Sequence, residues 1–283
     1  MNKYFYHRSV SITKEFDLDN VNETLDKFEN ILENGCLTTT FDGREICKVD
    51  VSKVYYNFDF SNFSKSIVSE VQKYFTPEKY ALKAASGVQE IRLIGDELWI
   101  DNEMYKKMIS IVNSTDKSRA LSMNVGLVKI NDKGRDVSTT ILTSFSNKHY
   151  KSSLPDKIKS FSDNLINFNM DIDFHVKTIA DLKNKEITIL NFAKSVLIDE
   201  KGKIIKTMEL KLRALGKKLV CEYGFRKNYH TLMNLSVDNL EKLTDFTINA
   251  KVLYNAYVEI FKDQDTSIIA RESRRVIDAL ESL

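Results

Sequence analysis

Two prolines and nine glycines in 283 residues are too few for a long flexible or polyproline linker, so the chain reads as one tightly connected body. Cysteine is equally scarce. Cys36, Cys47 and Cys221 are odd in number and form no CxxC pair, which argues against a disulfide framework or a zinc site and leaves reduced, mostly buried thiols. No run approaches the roughly 18 apolar residues that cross a bilayer. The opening MNKYFYHRSV has no apolar core of signal-peptide length. A membrane partner is therefore not expected, and the reading is cytoplasmic. An excess of charge is missing too: 42 Lys and Arg face 40 Asp and Glu, so any nucleic-acid site must come from local clustering.

Reaction signatures are absent as well. Gly216-Lys217-Lys218 lacks the GxxxxGK[ST] spacing of a phosphate loop and has no following Ser or Thr to hold magnesium. Asp17-Leu18-Asp19 lacks the glycine and terminal glutamate of a calcium loop, and neither HExxH nor GxSxG occurs. No catalytic residue, metal ligand or cofactor is assigned. His175, the one slot that is not apolar on a helical face, reads as a hydrogen-bonded core residue.

What is present is an ordinary globular composition, 42% hydrophobic and 29% charged, with its periodicity sharply divided. Val88 to Phe145 alternates apolar residues at Ile91-Leu93, Leu98-Ile100, Met108-Ile111, Leu121-Leu127 and Val137-Ile141. Gly95-Asp96, Asn113-Ser114 and Asn131 to Gly134 separate these blocks. That predicts a meander of about four or five strands. Before it come a first strand over Met1 to Ser11, then a helix with Val21, Leu25, Phe28, Ile31 and Leu32 on one face, stopped by Asn34-Gly35. A hairpin at Asp42-Gly43 and a short helix over Ser61 to Phe75 follow.

From Ser153 the period becomes 3.5, with Pro155 in the first turn. Ile158, Phe161, Leu165, Phe168, Ile172, Ile179 and Leu182 form a seam suited to packing on another long helix, in this chain or in a partner. Helices are expected over Asn184 to Ile205, from Ser236 through Ile260, and from about Thr266. No internal repeat is visible. The expected fold is α+β: an N-terminal antiparallel β-meander with short helices over residues 1–150, packed as one body with a C-terminal long-helix bundle over residues 151–283.

Positive charge is concentrated between Lys201 and His230, where nine Lys or Arg face only Glu209 and Glu222. Arg213, Lys217, Lys218, Arg226 and Lys227 alternate there with Tyr223, Phe225 and Tyr229. Single-stranded nucleic acid is held by such a mixture, cations tracking phosphates while aromatic faces stack on bases. The competing reading is a solvated helix face whose aromatics belong to the core.

Two resemblances bear on function. Val54 to Leu165 resembles an uncharacterised phage and plasmid protein family: Lys53-Val54-Tyr55-Tyr56, the Phe58 to Phe75 helix, the Ile91 to Ile111 meander, and the polar run Asn113-Ser114-Thr115-Asp116-Lys117-Ser118-Arg119-Ala120-Leu121 follow its order of elements. Lys117 stands where that family's turn has glycine, and its G-x-RY opening is missing. The order of hairpin, meander and long helix is also similar to phage single-strand annealing proteins, at the level of fold. Separately, Tyr4-Phe5-Tyr6-His7-Arg8-Ser9 with Ile31-Leu32-Glu33-Asn34-Gly35-Cys36-Leu37 resembles the opening of ADP-ribosyltransferase-type toxins, which implies an NAD-consuming enzyme centred on His7; the downstream catalytic glutamate motif has no counterpart here. The reading adopted is a non-enzymatic phage- or mobile-element-type protein of the host cytoplasm that binds nucleic acid, single-stranded DNA above all, as a homo-oligomer. Its alternative is a virion or assembly component using the 158 to 182 seam.

Overall fold

The structure is a computed structural model that describes residues 14–16, 20–53, 55–85, 87–115, 119–148, 160–161, 163–197, 206–264 and 266–283. The strand expected over Met1 to Ser11, the Pro155 turn and the turn Asp199 to Gly202 lie outside these residues. The fold is α+β. Strands β1 (Lys14–Phe16), β5 (Pro77–Ala85), β6 (Val88–Ile100), β7 (Glu103–Ser114), β8 (Leu121–Ile130) and β9 (Asp136–Asn147) form one antiparallel sheet in the order β1-β5-β6-β7-β8-β9. β2 (Phe28–Glu33), β3 (Cys36–Phe41) and β4 (Arg44–Asp50) form a smaller one.

The long sheet has two chemically different faces. One register row runs Ile91, Ile111, Met123, Phe145 and its neighbour Leu93, Ile109, Val125; the intervening row is Arg92, Ser110, Asn124, Ser144. Alternation with period two puts each set on its own face. Helix α1 (Val21–Leu25) contacts α2 (Phe60–Val71), and both α2 and α3 (Phe168–Asp181) reach strand β6. α2 starts where Asp59 accepts from the Asn62 N–H at 3.0 Å, as an N-cap should. Phe75 stacks on Phe168, and Phe63 meets Phe161 edge-on. The middle of the polar row, Ser110 and Asn124, is buried as well, under α8 (Thr266–Ser282): Thr266 Oγ1 lies 2.5 Å from Ser110 Oγ and accepts from Asn124 Nδ2, and its N–H donates to Glu90. Paired in this way, buried polar groups avoid the desolvation penalty that orphans carry.

Several expectations change. The helix expected through Leu32 stops at Leu25, and Phe28–Glu33 is a strand whose Ile31 and Leu32 are exposed. Asn34 and Gly35 both have positive φ, so the pair closes a two-residue hairpin instead of ending a helix. Thr38, Thr39 and Thr40 supply the β-branched partner strand that decides between the two. Gly95-Asp96 is a bulge inside β6, and Asp101-Asn102, both with positive φ, is the turn to β7. The seam of Phe161, Leu165, Phe168, Ile172, Ile179 and Leu182 is buried, but α3 meets strands β6, β8 and β9, so it serves a sheet and not another long helix.

The last hundred residues contain a repeat that the sequence hides. The 3₁₀ turn ending at Asn184, β10 (Glu186–Thr188), α4 (Ile189–Leu197) and α5 (Lys206–Cys221) recur as the 3₁₀ turn ending at Leu243, β11 (Thr247–Asn249), α7 (Ala250–Val258) and α8. The two helices expected over Asn184 to Ile205 and Ser236 to Ile260 are therefore each interrupted by a strand. Ile187 pairs with Ile248, its own equivalent. The Ile189 N–H donates to the Phe246 carbonyl at 3.0 Å and the Ala250 N–H to the Lys185 carbonyl at 2.8 Å, the same bond made twice. Helices α4 and α8 touch, as do α5 and α7, so a pseudo-two-fold axis passes through the Ile187 pair. One hydrophobic core continues from the sheet through both repeats.

Candidate nucleic-acid interface

Helix α5 carries its apolar stripe, Met208, Leu212, Leu215 and Leu219, into the core and leaves Arg213, Lys217 and Cys221 outside. The chain then turns: the Phe225 N–H donates to the Leu219 carbonyl at 3.0 Å, and Asn228, at positive φ, leads into α6 (Tyr229–Met233). Gly216 lets α6 sit on α5 with the Leu232 carbonyl against the helix backbone. A side chain of any size there would hold the two apart.

This geometry divides the eight predicted residues. Lys217, Arg226 and Lys227 are exposed and have no ion-pair partner among the described residues, and Tyr229 is 45% exposed beside them, edge-on to His230. Arg213 is exposed too, in a surface pair with Glu209 of the kind that contributes little. The other three turn inward. Lys218 Nζ lies 2.7 Å from Glu222 and 3.0 Å from the buried Glu259. Burial works against its ammonium, but those two carboxylates outweigh it and hold its pKa above the usual lysine range. Tyr223 donates its hydroxyl to Glu259 at 2.8 Å, and burial followed by the Glu259 charge pushes its phenol upward. Phe225 packs edge-on against Phe246. Tyr223 and Phe225 are thus half-buried against the core and Lys218 is held by two carboxylates, so these three are less open to a ligand than the other five.

A second basic group was not visible in the charge count. Arg271, Arg274 and Arg275 lie within five residues on α8, between a cleft of about 630 Å³ against the β8–β9 end of the sheet and a shallower groove against Ser195. Arg271 and Arg275 share the buried Glu272, whereas Arg274 has no partner among the described residues. His175 reaches the cleft half-buried with Nδ1 unbonded, so it is not the satisfied core histidine expected. Burial pulls its pKa below the usual imidazole range against the opposing charge of Asp171.

The motif residues of the two resemblances have structural places. Ser114 Oγ accepts from the Arg119 N–H at 2.9 Å and closes the β7–β8 connection, while Asn113 donates to Gln89 at 2.6 Å. Ile31 to Leu37 forms the β2–β3 hairpin, not the helix end that the toxin pattern requires, and Tyr4 to Ser9 lies outside the described residues. Among the described residues, no three His, Cys, Asp or Glu side chains gather as metal ligands, and no helix is long and apolar enough to cross a membrane. No family model, curated protein or solved structure matches this chain. The fold and site define an α+β protein with a duplicated helical end that carries two separate groups of exposed cations.

Proposed function

We propose that this chain binds nucleic acid, with single-stranded DNA as its ligand, through the turn between α5 and α6. The observation that carries the reading is that Lys217, Arg226 and Lys227 are unpaired among the described residues, beside the exposed ring of Tyr229. Cations already committed to carboxylates must break those pairs to meet a phosphate, whereas free ones release only counterions. The exposed ring adds a face on which one base can stack. Lys218, Tyr223 and Phe225 then serve as the buttress beneath the turn. A non-enzymatic role on phage or mobile-element DNA in the host cytoplasm, with annealing as its outcome, is the process that fits this reading.

Anisotropy titration with a short oligothymidylate at two salt concentrations tests it. Affinity should fall steeply with salt, and Arg226→Glu with Lys227→Glu should weaken binding by about tenfold or more and flatten the salt slope by roughly 1.5. Unchanged affinity in that variant would remove the turn from consideration.

A second reading, an assembly component, is favoured by one observation. Ile166, Met170 and Phe174 are 66%, 70% and 64% exposed at four-residue spacing, an apolar stripe that runs from the turn before α3 onto the outer side of that helix. Light scattering after gel filtration distinguishes it: a stable oligomer that Met170→Glu dissociates, without effect from DNA, would favour assembly.

A further inference from the structure

The cleft beside α8 is built like a ligand site of definite polarity. It lies where the polar row of the sheet emerges, so Ser122, Ser144 and Ser146 form its floor. Its wall is one face of α8, with Arg271 and Arg274 toward one end and Asp278 and Glu281 toward the other. At 1.5 Å per residue, Arg271 and Asp278 stand about 10 Å apart along the axis. Phe174 supplies an exposed ring on the facing helix, next to His175. The volume, about 630 Å³, is that of a small-molecule site.

These features select a ligand. Arg274 is unpaired among the described residues, and Arg271 gives Nε to Glu272 at 3.1 Å, leaving its terminal amino groups for another acceptor. Guanidinium groups one helical turn apart suit a phosphate, which they bind by paired charge-assisted hydrogen bonds. The carboxylates down the helix repel a second anionic group and accept from hydroxyl or amino donors. The ligand is therefore anionic at one end, donor-bearing at the other, and flat enough to lie on Phe174.

We infer that this cleft holds one nucleotide unit, with its phosphate on Arg274 and Arg271, its base on Phe174 and its sugar or base donors toward Asp278. The unit comes either as a free nucleoside monophosphate or as one residue of a bound strand; the second source rests on the function proposed above.

Calorimetric titration of the full chain with AMP, GMP, CMP and TMP, with inorganic phosphate and adenosine as partial ligands, separates the cases when run beside the oligothymidylate titration. Arg274→Ala and Phe174→Ala are the variants. Both positions are exposed, so the melting temperature should not change. If the source is free nucleotide, at least one monophosphate binds saturably, phosphate and adenosine bind at least about tenfold more weakly, and Arg274→Ala weakens the monophosphate by about tenfold or more. If the source is a strand, both variants weaken oligothymidylate by a similar factor, whether or not monophosphates bind. Loss of DNA affinity in the Arg226 and Lys227 variant with monophosphate binding intact keeps the two sites distinct. The inference is overturned if neither monophosphate nor oligothymidylate binding responds to Arg274→Ala and Phe174→Ala.

Discussion

Alanine at position 216 should lower the stability of this protein by about 3 kcal/mol, although alanine is ordinarily the better helix former by about 1 kcal/mol. Gly216 lies inside α5, where propensity alone favours the substitution. A Cβ there would collide with the Leu232 carbonyl oxygen, with the carbonyl carbon at 2.9 Å and Leu235 Cβ at 3.1 Å. The first two are backbone atoms and cannot rotate away. Helix α6 would have to move as a unit, drawing Leu232 and Leu235, both fully buried, out of the core. The collision therefore outweighs propensity. In urea unfolding the midpoint should fall with little change in slope, and the melting temperature should drop by roughly 6 °C or more. On the function proposed above, DNA affinity should fall as well at temperatures where the variant remains folded, because α6 carries Tyr229 and fixes the turn bearing Arg226 and Lys227. A Gly216→Ala protein as stable as its parent would mean that α6 does not pack at this point.

Packing between distant segments also explains why only part of the candidate site could be read from the sequence. A run of cations with interleaved aromatics is visible as composition. Which of them is free depends on contacts from far along the chain: Glu259 takes Lys218 and Tyr223, and Phe246 takes Phe225. The arginines of α8 failed in the opposite way. Arg271, Arg274 and Arg275 share α8 with Glu272, Asp278 and Glu281, so the helix as a whole sums to zero charge while it buries Glu272 and leaves Arg274 outside. Local rules worked where local physics decides. Asp42-Gly43, the Phe63, Ile67 and Val71 stripe, the long strands and the helix beginning at Thr266 were all legible. Asn34-Gly35 was not, because the pair serves equally as a helix stop or a hairpin turn, and a threonine-rich strand across the turn makes the choice.

The duplication escaped for a related reason. Equivalent core positions keep burial but not identity: Ile189 corresponds to Ala250, Leu212 to Ser273 and Gly216 to Ile277. Sequence comparison looks for repeated letters, whereas each repeat had to fit a different neighbour. Gly216 accommodates α6, and Ser273 donates nothing to apolar packing but accepts from the Ile141 N–H of β9 at 3.2 Å. The backbone bonds across the axis are retained because they do not depend on side chains.

Glu272→Gln should be at least as damaging, again about 3 kcal/mol, because it discharges the hub between the repeats. Glu272 is 1% exposed, with Lys211 at 2.7 Å, Arg271 at 3.1 Å and Arg275 at 3.5 Å, and it accepts the Tyr257 hydroxyl at 3.0 Å. Lys211 occupies the equivalent position in the other repeat, so the pair lies across the pseudo-two-fold axis. Burial by itself would raise the Glu272 carboxyl, but the Lys211 hydrogen bond and charge, Tyr257 and Arg275 outweigh it and hold the pKa below the usual carboxylate range. The cations fare differently: burial lowers the Lys211 ammonium, and repulsion from Arg275 and Arg271 adds to this against the pull of Glu272. One carboxylate is shared among three cations, so removing it strands more charge than it removes. Because the folded carboxyl titrates below its unfolded value, its stabilisation is complete above the ordinary glutamate pKa of about 4.3 and disappears as pH falls through the folded value. The stability difference between parent and Glu272→Gln should therefore be full at pH 7 and shrink in acid, as urea titrations at several pH values would show. Lys211→Met with Glu272→Leu should recover part of the loss by replacing the pair with apolar packing. Exchanging the charges as Lys211→Glu with Glu272→Lys should not, since the new ammonium would stand between Arg271 and Arg275. Recovery by the exchange would show that the two positions pair alone, without the arginines that distinguish the second repeat from the first.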